Sequence, residues 1–248
     1  MPTRVALFPT CMVDTLTPRV GVSAARVLRR LGHQVSLPRG ITCCGQPAWN
    51  SGFGRQAARV AATTLGALER SEADLICVLS GSCATMMRVY WQDLFALAGD
   101  DRSAARAADL SGRVREFSEL VGSESSLPGR YPVKVAYHHS CHMTRELGIA
   151  AQPLALLDGL EGCERVEWAA ADRCCGFGGM FAVKQPEISV AMADEKIDSL
   201  VATGADEVIG CDQSCLLHLE GRLMRRGIPI RVRHLAEVLD TATSGARP

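Results

Sequence analysis

Cys174-Cys175-Gly176-Phe177-Gly178-Gly179 decides how this chain is read, because it has an echo at Cys43-Cys44-Gly45-Gln46-Pro47. Each cysteine pair has a single cysteine upstream, Cys141 and Cys11, and a Ser-Cys pair downstream, Ser214-Cys215 and Ser82-Cys83. The four positions repeat at offsets of 130, 131, 131 and 132 residues. Four cysteines at a nearly constant offset mark a duplicated binding site. The chain is therefore expected to fold as two similar halves, 1–122 and 123–248.

Outward from the cysteines, each ligand candidate follows a short apolar run. Residues 5–8 lead to Cys11, 133–137 to Cys141, 74–79 to Cys83 and 207–210 to Cys211 and Cys215. Shorter strands are expected at 34–37 and 165–168, before the two cysteine pairs, and at 230–232. Helical spacing lies between them. Thr17-Pro18 supplies a cap and a first-turn proline for Val20, Ala24, Val27, Leu28 and Leu31, and Gly32 ends that helix. Residues 55–70 and 187–203 carry further apolar stripes, and helices are also expected through 90–97, to about 160 and at 235–239. The polar segment 99–132 predicts one helix at 113–121, then a Gly/Ser/Pro-rich connector from 122 to 132. Strands alternating with helices imply an α/β fold of two pseudo-symmetric repeats, each a small parallel sheet with crossover helices. In such sheets ligands bind beyond the carboxyl ends of the strands, where every repeated cysteine falls.

Composition narrows the function. Lysine plus arginine equal aspartate plus glutamate at 27 each, so no net field invites nucleic acid or an anionic membrane. No stretch approaches the roughly 20 apolar residues of a transmembrane span, and no signal peptide opens the chain, so a cytoplasmic setting is expected. In a reducing compartment 11 cysteines point to metal or redox chemistry rather than disulfides.

Cys77 and Cys163 have no repeat partner and read as buried fillers. The ligand candidates are Cys11, Cys43, Cys44 and Cys83 in one half, and Cys141, Cys174, Cys175 and Cys215 in the other. Zinc is one alternative, but structural zinc usually takes Cys-x₂₋₄-Cys spacing, which neither repeated set has. Adjacent thiols diverge, which suits several irons side by side, and the following glycine lets backbone N–H groups approach cluster sulfides. Arg145, Arg173 and Lys184 lie near second-half cysteines; of these Arg173, abutting Cys174, is the candidate for tuning the potential. His138, His139 and His142 crowd Cys141 and could ligate metal, donate hydrogen bonds or be structural. Cys211, matched by Leu79 in the first half, is a possible fifth ligand, a redox thiol or a filler.

These stretches, with Tyr137-His138-His139-Ser140-Cys141-His142 and Asp212-Gln213-Ser214-Cys215, resemble the cysteine-rich CCG domain family. That family includes the B-type component of heterodisulfide reductase, the glycolate oxidase iron–sulfur subunit and, most similar here, the LutA-like lactate-utilization proteins. The resemblance implies an iron–sulfur electron-transfer subunit of a cytoplasmic complex oxidising L-lactate to pyruvate, with one [4Fe–4S] cluster per repeat. Its implied partners are a LutB-like ferredoxin-type subunit and a LutC-like subunit, and its activity would depend on them. No Gly-x-Gly-x-x-Gly fingerprint follows a strand, against a stand-alone nucleotide-dependent dehydrogenase. The alternatives are a heterodisulfide-type thiol/disulfide redox subunit and a glycolate or other 2-hydroxy acid oxidase subunit. Heterodisulfide reductase motifs end in Cys-x-x-Cys, whereas here Ser80 and Asp212 hold the earlier position, against a five-cysteine cluster.

Overall fold

In the computed structural model, which describes residues 2–123 and 127–245, the apolar run before Cys11 forms strand β1, Arg4–Phe8. It lies between β2, Gln34–Ser36, and β3, Leu75–Val78, and β4, Val114–Glu116, completes the sheet. The second sheet consists of β5, Lys134–His138, β6, Glu164–Arg165, β7, Glu207–Gly210, and β8, Arg231–His234. All pairings are parallel, and both sheets have the same order, β2-β1-β3-β4 and β6-β5-β7-β8. Chain direction across the sheet switches between β1 and β3, and between β5 and β7, which opens a crevice at the carboxyl end of each pair.

The long helices agree with the apolar spacing: Pro18–Arg30, Gly54–Glu69 and Pro186–Val201. Three places differ. The segment expected to hold one helix contains the helix Asp101–Ser111, then β4, then the helix Phe117–Gly122. Three residues are too few to show alternation, and Glu116 ends the strand because its carboxylate caps the next helix, accepting from Ser118 N at 2.7 Å. The helix expected to reach residue 160 is two, Cys141–Arg145 and Ala151–Asp158. The helix Gln213–Arg225 follows β7, where none was expected. Part of the connector, residues 124–126, lies outside the described residues.

Strand alternation divides the burial between three cores. Val5, Leu7, Cys77 and Leu79 of the first sheet meet Val135, Tyr137, Ile209 and Cys211 of the second in a common central core with Phe117 and Leu235. The opposite faces carry separate cores: Ala6, Phe8, Ile76 and Val78 beneath Gly54–Glu69, and Ala136 and Val208 with Ile197 and Leu219. Each half thus buries one face of its sheet against the other half. The contact extends to the helices Pro18–Arg30 and Leu235–Ser244, where Asp240 accepts from Ser23 Oγ at 3.0 Å and Arg30 at 2.7 Å. No helix among the described residues is long and apolar enough to cross a membrane.

Glu116 is wholly buried beside the central core, and burial raises its carboxyl to about 7 despite the Ser118 hydrogen bonds. A carboxyl raised on folding stabilises fully below its unfolded value, and that contribution is lost as pH rises through the folded value. Urea titrations should show wild-type stability falling by about 3 kcal/mol between pH 4.5 and 7.5 from this group, at about 1.4 kcal/mol per unit. Glu116→Gln should remove that slope and be the more stable form at the upper pH.

Candidate metal centre

Each cysteine pair sits in a turn that only glycine completes. Gly45 and Gly176 have φ of 89° and 87°, the left-handed region. A Cβ on Gly45 would lie 2.8 Å from the Ala57 carbonyl oxygen, and one on Gly176 would lie 2.5 Å from that of Ser189. The close approach turns backbone N–H groups onto sulfur. Gly45 N is 3.5 Å from Cys43 Sγ, Gly176 N 3.4 Å from Cys174 Sγ and Phe177 N 3.5 Å from Cys175 Sγ.

In the first half, Cys11 Sγ lies 3.6 Å from Cys43 Sγ, and Cys44 Sγ 3.2 Å from Cys83 Sγ. The second half has the same pairing of Cys141 with Cys174 and Cys175 with Cys215. All eight thiols line one cavity of about 400 Å³ that also takes in Met12, Phe177 and Met180. The rims of the two sheets, which the repeat alone leaves separate, therefore face each other across a common space.

The two Ser-x-x-Cys segments hold this arrangement. Ser80 and Asp212 form an antiparallel bridge between the halves. Asp212 is buried and accepts from Ser80 Oγ at 2.9 Å, Ser82 N at 2.9 Å and Ser214 Oγ at 2.5 Å. Burial pushes its carboxyl up, but these hydrogen bonds outweigh it and hold the group below the usual carboxylate range. The positions where a fifth cysteine is lacking are thus occupied by the contact that joins the sites.

The thiols perturb one another. Hydrogen bonds from Cys11 and then Cys44 hold Cys43 well below the ordinary thiol range, and Cys141 and Cys175 do the same for Cys174. The donors Cys11, Cys44, Cys141 and Cys175 are pushed up. A bound cation would favour the thiolate form of each set. Four thiols per set, glycine N–H groups at sulfur and a shared apolar cavity fit an iron–sulfur group.

Other candidates fall differently. Cys211 is buried in the central core and lines no part of the thiol cavity; its sulfur faces Tyr137 and Ser118. Cys77 is buried in the same core and Cys163 packs at its edge, as fillers should. Arg173 is exposed and paired with Glu195, Arg145 is exposed, and Lys184 lies 6.0 Å from the Phe53 ring. His139 packs against the Tyr137 ring at 4.9 Å, and His142 Nδ1 is 3.0 Å from Glu146. His142 lines the thiol cavity, and the donor atom of His138 and those of Cys175 and Cys215 lie within 4.8 Å of one another.

Lys196 escaped the sequence reading. It is buried, its Nζ donates to the carbonyls of Ala170, Ala171 (3.1 Å) and Arg173 (2.8 Å), and it lies 4.3 Å from the Trp168 ring. Burial lowers it to about 8 while the nearby thiols act to raise it, so it sets a cation beside the second set. A lysine beside Ala193, Ile197 and Leu200 on an apolar stripe was the available signal.

Gly176→Ala should lower stability by at least about 1–2 kcal/mol from the left-handed backbone alone. Gly221→Ala, on an open face of its helix, should gain about 0.5–1 kcal/mol. Thermal and urea denaturation of the two variants side by side check the contrast.

The cysteine-rich domain (CCG) profile matches residues 5–88 and 135–220, one span for each cysteine set. Lactate utilization protein A of Exiguobacterium sp. (strain ATCC BAA-1283 / AT1b) is 44% identical over 98% of this chain and 99% of its own length. That of Macrococcus caseolyticus is 40% identical over 96% of both chains, and lactate utilization protein A 2 of Bacillus cereus (strain Q1) is 41% identical over 95% and 97%. The fold is also found in a hypothetical protein from Helicobacter pylori, with TM-score 0.66 and 12% identity over 98% of this chain and 49% of that one. With both repeats matched and full-length relatives at 40–44% identity, the chain belongs to the cysteine-rich CCG domain family, in its lactate utilization protein A group.

Proposed function

We propose that this chain is the iron–sulfur electron-transfer subunit of a cytoplasmic complex that oxidises L-lactate to pyruvate. The observation that carries the reading is the convergence of two four-thiol sets, one from each repeat (1–122 and 123–248), on one cavity. The curated relatives named for lactate utilization supply the substrate class.

Cys11, Cys43, Cys44 and Cys83 would hold one cluster, and Cys141, Cys174, Cys175 and Cys215 the other; the expected type is [4Fe–4S]. A bound cluster supplies a one-electron carrier. Lactate gives up two electrons and two protons on becoming pyruvate, so two such carriers in one subunit match its electron count. The chain's own groups do the holding. Glycine N–H groups face the sulfurs, the Ser80–Asp212 contact joins the two Ser-x-x-Cys segments, and Met12, Phe177 and Met180 add apolar surface to the shared space. Dehydrogenation of lactate is a property of the complex, in which a LutB-like ferredoxin-type subunit and a LutC-like subunit are the proposed companions. With Cys211 turned into the central core and Ser80 and Asp212 engaged with each other, a five-thiolate heterodisulfide-type site has no support.

Protein purified without oxygen should be brown, with iron and sulfide above one cluster per chain. Cys43→Ser with Cys44→Ser should remove about half the iron, Cys174→Ser with Cys175→Ser the remainder, and Cys211→Ser almost none. A colourless protein with stoichiometric zinc would overturn the cluster. Lactate-dependent reduction of the chain by its companions tests the substrate, and reduction by glycolate in its place would reassign it.

A further inference from the structure

The two cysteine sets are duplicated, but their surroundings are not. Strands β1 and β5 end at equivalent positions, on Phe8 and His138, 130 residues apart like Cys11 and Cys141. Phe8 is a hydrocarbon ring buried in the first outer core. His138 is equally buried, at 1% exposure, yet neither ring nitrogen has a hydrogen-bond partner of ordinary geometry. The Ala171 backbone acts on the ring, the kind of group that orients metal-bound imidazoles. Leaving a buried polar group unmatched is costly, and a phenyl ring fills the same place in the other half without that cost.

Among the described residues, His138, Cys175 and Cys215 form the one group of three or more histidine, cysteine or carboxylate donors within 4.8 Å of one another. The thiols of both halves stand as two pairs, and in the second half His138 adds a third donor beside one of them. Lys196, also buried near this set, has its donors spent on three carbonyls and offers no lone pair to a metal, and the Asp212 carboxylate is engaged with three donors. His139 rests edge-on against the Tyr137 ring, and His142, at the wall of the thiol cavity, has its Nδ1 3.0 Å from Glu146.

We propose that His138 is a nitrogen ligand of the second-half centre, binding beside Cys175 and Cys215 in place of one of that set's four thiolates. The chain then carries two unlike centres, one with thiolate ligands alone and one with mixed nitrogen and sulfur ligation. Resting on the cluster reading above, this makes the second half the specialised one. Nitrogen ligation is also among the changes that separate the potentials of iron–sulfur centres.

The test is pulsed electron paramagnetic resonance of the full chain, purified without oxygen from cells fed histidine labelled with heavy nitrogen, and chemically reduced. A strong histidine nitrogen coupling of direct ligation should appear on one centre. It should survive in the Cys43→Ser, Cys44→Ser protein and in His139→Phe, and be lost in His138→Phe, which copies the first half. The labelled wild-type measurement stands even where a variant fails to fold. An iron-loaded, reduced chain without that coupling, or with only the weak coupling of a hydrogen-bonded ring, overturns the ligand and leaves the cluster reading intact. So does a strong coupling that persists in His138→Phe. An iron-free chain overturns both.

Discussion

A carboxylate sealed from water is tolerated only where donors surround it, and Asp212 finds its donors on both halves of the molecule. Ser80 and Ser82 approach from one repeat and Ser214 from its own. The group is therefore satisfied only when the two Ser-x-x-Cys segments lie side by side, which also sets Cys83 and Cys215 on opposite walls of one cavity. Gly81 tightens the same contact: a Cβ there would stand 2.7 Å from Met143 Cβ of the other half. Folding of the interface and construction of the site are one event, since neither sheet can cover its inner face alone.

Within that frame the repeats solve one local problem in two ways. In the first half, Thr64 accepts from Thr42 N at 3.1 Å and donates to the Cys43 carbonyl at 2.9 Å, tying the cysteine loop to the helix behind it. In the second, Lys196 reaches from the matching helix to three carbonyls of the matching loop. Both clamp the loop, but the lysine also brings charge. Duplication supplied the geometry, and substitution at a few buried positions made the halves chemically unequal.

Much of this was legible in the residues. Runs such as Val5-Ala6-Leu7-Phe8 announced strands because burial on both faces demands unbroken apolar character. The cysteine offsets announced two sites, and the lack of cysteine at Ser80 and Asp212 spoke against a five-cysteine cluster. What these two residues do instead could not be read, because a bridge spanning 132 residues leaves no local pattern. β4 was missed because three residues carry too little periodicity and the next one already belongs to a helix cap. Cys211 looked available until strand direction turned its sulfur into the central core. His138 and His139 are neighbours in sequence and face opposite ways, a distinction that only the end of β5 decides.

The separation of 3.2 Å between Cys44 Sγ and Cys83 Sγ reaches beyond the finished protein. A disulfide needs its sulfurs about 2 Å apart, so oxidation of the metal-free chain could join this pair with little movement of the backbone. Such a bond would consume two of the proposed ligands, both buried from a protein reductant. Maturation is in this sense a race between metal and oxidant for the same sulfurs. The crowding that prepares the chain to receive its cargo also makes an empty chain perishable in air.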